Sequence, residues 1–321
     1  MVLASGLDGD LLLANMAPAM GAATIEKVAT AAVMAGCMPD YFPVVIAAVQ
    51  AVCQPEFDLF EVQSTTHCLA PLLIVNGPAR HACGPIASGF GAFGPGHRAN
   101  AAIGRALRLC LMNIGGARPG ISDMALLGHP GKFTFCIAED EEHSPFTPLH
   151  VARGYAPEDS VVTVVGVEAP QSVVCVGDAD DPESPQRLLR TLAMSLACVG
   201  TNNAQLRGGA AAIVLNPDHA TVLARAGYDR HKVAEAIVDM AGNPRSLLAG
   251  LNPKMASGGS PDDFLRCFRR PEDLVVFQAG GGGLYSMVMP SWCAGAHHNP
   301  VVSQRIELDQ ACEIPGMATA R

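Results

Sequence analysis

The chain has 321 residues, which at roughly 150 residues per domain makes two domains or one large one. Nearly half of it is hydrophobic (49%) and only 16% is charged, which excludes an intrinsically disordered chain. A net charge of −9 argues against attraction to a phosphate backbone, so no nucleic-acid partner is expected.

Residues 1–13 contain Asp8 and Asp10 and lack the basic run of a secretory signal. TIEKVATAAVMAG (24–36) has helical spacing closed by Gly36. Asp40 is a candidate cap for a second helix, DYFPVVIAAVQAV, with Pro43 in its first turn. The apolar run 41–53 is too short to span a bilayer, so a cytoplasmic protein with no membrane partner is expected. LLIV (72–75) reads as a buried strand halted by Asn76-Gly77-Pro78. The glycine-dense SGFGAFGPG (88–96) leads into a helix over 97–112 that contains Arg98, Arg105 and Arg108.

Farther along, 132–138 alternates like a strand, and 160–167 and 172–176 read as β-branched strands joined in a hairpin. The acidic turn 178–184 is the candidate boundary between an N-terminal α/β unit, 1–180, and a C-terminal one, 181–321. Then follow a helix (185–199), a strand (210–215), a helix begun by Asn216-Pro217-Asp218 and another capped by Asp229. Strands at 274–277 and 285–289 flank four glycines, 280–283. This alternation predicts an α/β fold with a mixed sheet packed in layers with helices. LLIVNGPARHA (72–82) and AIVLNPDHATVLA (212–224) share a strand, an Asn, a Pro and a His, compatible with two related α/β units.

The densest set of reactive groups is GHPGKFTFCIAEDEE (128–142). On a strand over 132–138, Lys132, Thr134 and Cys136 share one face and Phe133, Phe135 and Ile137 the other, core-facing one. Cys136 beside a cation would have a depressed pKa, and His129 and Glu139 flank it as acid or base candidates. In the glycine-rich loop, Gly94 and Gly96 with Arg98 and Asn100 are candidates for holding a carboxylate or phosphate at a helix start. Gly281 invites the same reading, and Asn202 and Asn203 form a polar segment ahead of the second echo. His67 precedes Cys68 and a buried strand. His297-His298 lacks the carboxylate spacing of common metal sites, so metal and cofactor are unassigned. Eleven cysteines without a CxxC pair indicate neither a disulfide framework nor a zinc ribbon; Cys37, Cys53, Cys110, Cys198 and Cys267 read as small buried hydrophobes.

Several strings, among them STTHCLAPLLIVNGP, GAFGPGHRANAAIGRALRL and GHPGKFTFCIAEDEEHSPFTPLH, resemble bacterial proteins related to the UGSC family of thiol or selenol proteins. The resemblance spans most of 20–290. No Cys-Gly-Ser-Cys occurs here, so the chain resembles the larger partner segment of that family. His67, Arg98, Asn100, His129, Lys132, Cys136, Glu139 and Glu142 lie in the characteristic strings. The resemblance implies a thiol or selenol partner subunit and carries no particular reaction.

The leading expectation is a cytoplasmic α/β enzyme, a lyase or hydrolase cleaving a carbon–heteroatom bond in a small anionic metabolite. Arg98, Asn100, Gly94, Gly96, Asn202, Asn203 and Gly281 are the binding candidates. His129, Lys132, Cys136, Glu139 and His67 are the catalytic ones. Two alternatives stand beside it: a non-catalytic subunit of a thiol/selenol complex, and a nucleotide-cofactor oxidoreductase, against which the missing ordered GxGxxG counts. Low charge and few aromatics point to a homo-oligomer.

Overall fold

A computed structural model describes residues 1–308 except 255, 293, 294 and 299. Its eight principal strands are β1 (Ala70–Asn76), β2 (Cys136–Ala138), β3 (Val161–Val167), β4 (Gln171–Val174), β5 (Ala211–Leu215), β6 (Leu274–Gln278), β7 (Tyr285–Met289) and β8 (Val302–Arg305). The principal helices are α1 (Ile25–Met34), α2 (Phe42–Val52), α3 (Arg98–Asn113), α4 (Ser184–Leu196), α5 (Pro217–Arg225) and α6 (Arg230–Met240). Short two-stranded ribbons at Leu12–Met16/Gly21–Thr24 and Gly242–Pro244/Phe264–Arg266 decorate them.

The fold is α/β with mixed sheets. One sheet runs β8-β3-β1-β2 and the other β4-β7-β5-β6. In both, the last two strands named are parallel and the other pairs antiparallel. The two sheets therefore have the same strand order and directions, with β1 matching β5, as the Asn76/Asn216 echo suggests.

The layers follow from the alternation of side chains along each strand. Leu72 and Ile74 of β1 meet Ala212 and Val214 of β5 and Val275 and Phe277 of β6 in a core between the sheets. Leu73 and Val75 turn the other way, into a second core with α1, α2 and α3. Ala211, Ile213 and Leu215 likewise face α4, α5 and α6 in a third. The result is four layers, helix–sheet–sheet–helix. Fully burying each such Leu, Ile or Phe contributes roughly 1.5–3 kcal/mol.

Four expectations change. The 160–176 region is not a hairpin, because β3 and β4 pair in different sheets. The chain also crosses the expected boundary at 180 in both directions: β4 lies before it yet edges the second sheet, and β8 lies after it yet edges the first. The segment 132–138 is a strand only from Cys136; Pro130–Lys132 form a 3-10 turn instead, since Pro130 fixes a helical φ at its first position. Asp40 sits inside a short 3-10 turn, Pro39–Tyr41, rather than capping α2. Asn216 and Asp229 do cap their helices, accepting from the amides of His219 and Lys232.

One close approach positions the site below. A Cβ on Gly104 of α3 would lie 2.4 Å from the Phe135 nitrogen, so glycine there lets the segment entering β2 lie directly on the helix. Thr134 Oγ1 fastens that segment by donating to the Ala101 carbonyl at 2.8 Å.

Candidate functional site

The segment 118–133 folds back over α3 and forms with it an open cavity of about 460 Å³. A tight turn starts it, the amides of Ile121, Ser122 and Asp123 all donating to the Arg118 carbonyl. This delivers the buried Asp123 carboxylate to the helix. His129 caps the next turn, its Nδ1 accepting from the Gly131 amide at 3.1 Å. That turn brings Lys132 Nζ to 2.8 Å from Asp123 Oδ1. Arg108, presented from α3, reaches the other oxygen, Oδ2, also at 2.8 Å. Its second nitrogen donates to Gln63 Oε1. One turn away, Arg105 lies over the Phe133 ring at 6.0 Å and makes no ion pair among the described residues.

Three cations thus line a single cavity, and two of them, Lys132 and Arg108, share its one carboxylate. Burial alone would raise the Asp123 pKa, but Lys132 and Arg108 outweigh it and hold the carboxyl below its usual range. Burial, with the Arg108 charge beside it, lowers the pKa of Lys132 despite the opposing pull of Asp123. Burial also lowers the pKa of His129, partly opposed by the Val167 backbone; Nε2 is buried and makes no well-formed hydrogen bond. His67 is near, its Nε2 3.0 Å from Glu168 Oε1. His67, His129 and Lys132 are therefore brought together. His129 Nε2 is buried and Nδ1 is taken by the Gly131 amide, while Lys132 lines the cavity beside Asp123.

Cys136 is not part of this site. It is 4% exposed, pairs with Leu73 in the sheet and lies in the helix-facing core, where burial pushes its thiol far up. The expected reactive face fails because the 3-10 turn removes Lys132 from the strand. Phe135 and Ile137 do face the core, whereas Phe133 is 68% exposed. Cys198 is exposed rather than buried.

Glu139 lies elsewhere, fully buried at the end of β2. It accepts from Asn76 Nδ2, the Leu149 amide and Arg230 Nη2 at 2.6, 2.7 and 2.6 Å. Beside it Arg80 forks onto Glu142 and also pairs with Glu141. Arg98 donates to the Gly36 carbonyl and so closes the end of α1. Asn100 is consumed by the backbone of Ala87 and Ala92. Asn203 likewise holds the carbonyls of Gly208 and Ala210 and accepts from the Ser291 amide. Asn202 only precedes the π-helical turn Asn203–Arg207. The side chains of Arg98, Asn100 and Asn203 thus have structural partners in place of the ligand expected for them.

The two glycine runs do converge. Gly94 and Gly281, with Gly91 and Gly280, line a second cavity of about 420 Å³ between the sheet ends. The Gly280 amide donates to the Ser88 carbonyl, and the Phe90 ring lies where a Gly281 side chain would be. Gly96 has a φ of +102° and is not among the lining residues. Among the described residues, no charged side chain lines this cavity. Next to it, Ser286 Oγ is 2.7 Å from His219 Nδ1, and His219 Nε2 is 2.9 Å from the Cys175 carbonyl. Both side chains are buried, and Ser286 shares the helix-facing side of β7 with Val288, so this pair secures the strand end.

Sequence alone does not single out Arg105, Arg108 and Asp123 as site residues. The available signal was two arginines three apart on a helix whose other positions are mostly Ala, Leu and Ile. Asp123 has no local signal. Comparison with known proteins finds no matching family model, no matching curated protein and no matching solved structure.

Proposed function

We propose that the chain is a small-molecule enzyme acting on a small anionic metabolite seated between α3 and 118–133, by lyase-type cleavage with Lys132 as the proton-transfer group. The observation that carries this reading is the convergence of Arg105, Arg108 and Lys132 on one 460 Å³ cavity with Asp123 as the carboxylate among its lining residues. Such a set leaves cationic charge to be answered by a ligand, and the size suits a metabolite. Lys132 and Asp123, 2.8 Å apart, supply a proton donor and an acceptor. A thermal-shift panel of small carboxylates and phosphates against uncharged isosteres tests it. Stabilisation by the anions alone, lost in Arg105→Ala, supports the reading; equal response to neutral isosteres contradicts it.

A second reading, a non-catalytic subunit of a thiol or selenol complex, follows the resemblance to UGSC-related proteins. It is favoured by apolar side chains exposed on the same segment: Ile121, Leu126, Phe133 and Leu127, the last 97% exposed. A stoichiometric Cys-Gly-Ser-Cys partner and no turnover by this chain alone would select it.

A further inference from the structure

We propose that Lys132 is an amine nucleophile that forms an imine with the carbonyl carbon of a small 2-oxo acid held in the cavity between α3 and 118–133. This rests on reading that cavity as an anion site.

The chain has four lysines. Lys27, Lys232 and Lys254 are exposed. Lys132 alone is withdrawn from solvent, its side chain 12% exposed, and it lines a cavity. Two further cations lie on the same wall. Arg108 occupies Asp123 Oδ2, which leaves Oδ1 to Lys132. Arg105 has no carboxylate partner among the described residues and is placed to receive the substrate's. A carboxylate on Arg105 directs the adjacent carbonyl along the cavity toward Nζ. A lysine desolvated beside another cation is one of the recognised ways of activating an amine. Burial, which lowers its pKa, adds to the unprotonated fraction.

The step balances without oxidant or reductant. Unprotonated Nζ adds to the carbonyl carbon: a C–N bond forms, and the C=O π pair moves to oxygen, which takes a proton from solvent. The nitrogen passes one proton to Asp123. The hydroxyl then takes that proton and leaves as water, while the nitrogen lone pair forms the C=N bond. The product keeps the second N–H proton and is therefore the cationic iminium, which withdraws electrons from the neighbouring carbon, as a lyase-type cleavage requires.

The test treats the whole protein with pyruvate or glyoxylate and sodium cyanoborohydride, followed by peptide mapping. The expected result is reductive modification of Lys132 at least about tenfold faster than of the three surface lysines, because the 2-oxo acid is held beside Nζ in the cavity. Excess phosphate suppresses it. Lys132→Arg, which keeps a cation beside Asp123, abolishes it at that position without loss of thermal stability. Equal modification of all four lysines, or of the surface three only, overturns the imine. Calorimetric titration of the same protein with phosphate separates the two levels. Phosphate binding without trapping overturns the imine and leaves the anion site standing; neither binding nor trapping overturns both.

Discussion

Arg230, the first residue of α6, reaches back to Glu139 at the end of β2, Nη2 to Oε1 at 2.6 Å, and so joins the two sheets of the sandwich by a buried ion pair. The neighbouring backbone does the same, the Asp140 amide donating to the Gln278 carbonyl at 2.9 Å. Arg230→Met leaves a buried carboxylate without its charge partner and is expected to cost about 3–5 kcal/mol in urea unfolding. Arg230→Met with Glu139→Gln should recover part of that loss. A single-variant change below about 1 kcal/mol would show that the pair behaves like a surface one.

Glu142 gives a pH dependence of defined sign. Its hydrogen bonds from Arg80 hold its carboxyl near about 2 against an ordinary 4.5. A folded-state pKa below the unfolded one stabilises the protein above pH 4.5, and that stabilisation is lost as pH falls toward 2. The effect is small because the side chain is half exposed. Wild type should therefore exceed Glu142→Gln in thermal stability at pH 6, and the difference should close near pH 2. A constant difference across that range would refute the coupling.

Burial sets the reactivity of the thiols. Cys37, Cys110 and Cys267 are pushed up to about 12, and Cys136 higher, by desolvation. Among the described cysteines, iodoacetamide mapping of native protein should label Cys198 first and leave Cys136 unlabelled until the chain unfolds. Native labelling of Cys136 would restore it as a reactive group.

Much of the layer structure is legible in the sequence because strands and helices bury different periodicities. LLIV, AAIVL and the Arg98–Asn113 helix lie within a residue or two of where their patterns place them. What local pattern does not specify is the pairing partner. β3 and β4 look like a hairpin, yet each pairs in a different sheet, and β8 reaches the first sheet from the far end of the chain. The site was half legible for the same reason. Lys132 and His129 stand out as a Gly/Pro-fixed pair, but their companions come from a helix and a turn, and only the folded chain brings Arg105, Arg108 and Asp123 to them. Cys136 shares no face with Lys132 because the turn set by Pro130 interrupts the alternation between them.

Asp123→Asn separates stability from binding. Removing the carboxylate that Lys132 and Arg108 share leaves two close cations unpaired, so thermal stability falls. The cavity becomes more cationic, so affinity for a small anion rises. Calorimetry and a melting curve on one preparation check both signs; weaker anion binding in this variant would mean that Asp123 orders the cavity rather than competes with its ligand.

The most direct measurement is isothermal titration of inorganic phosphate and of succinate into wild type and Arg105→Ala. The anion site predicts saturable binding to wild type that weakens with added salt and drops at least about tenfold, about 1.4 kcal/mol, in the variant. No heat of binding from either anion, or the same affinity in both proteins, would contradict it.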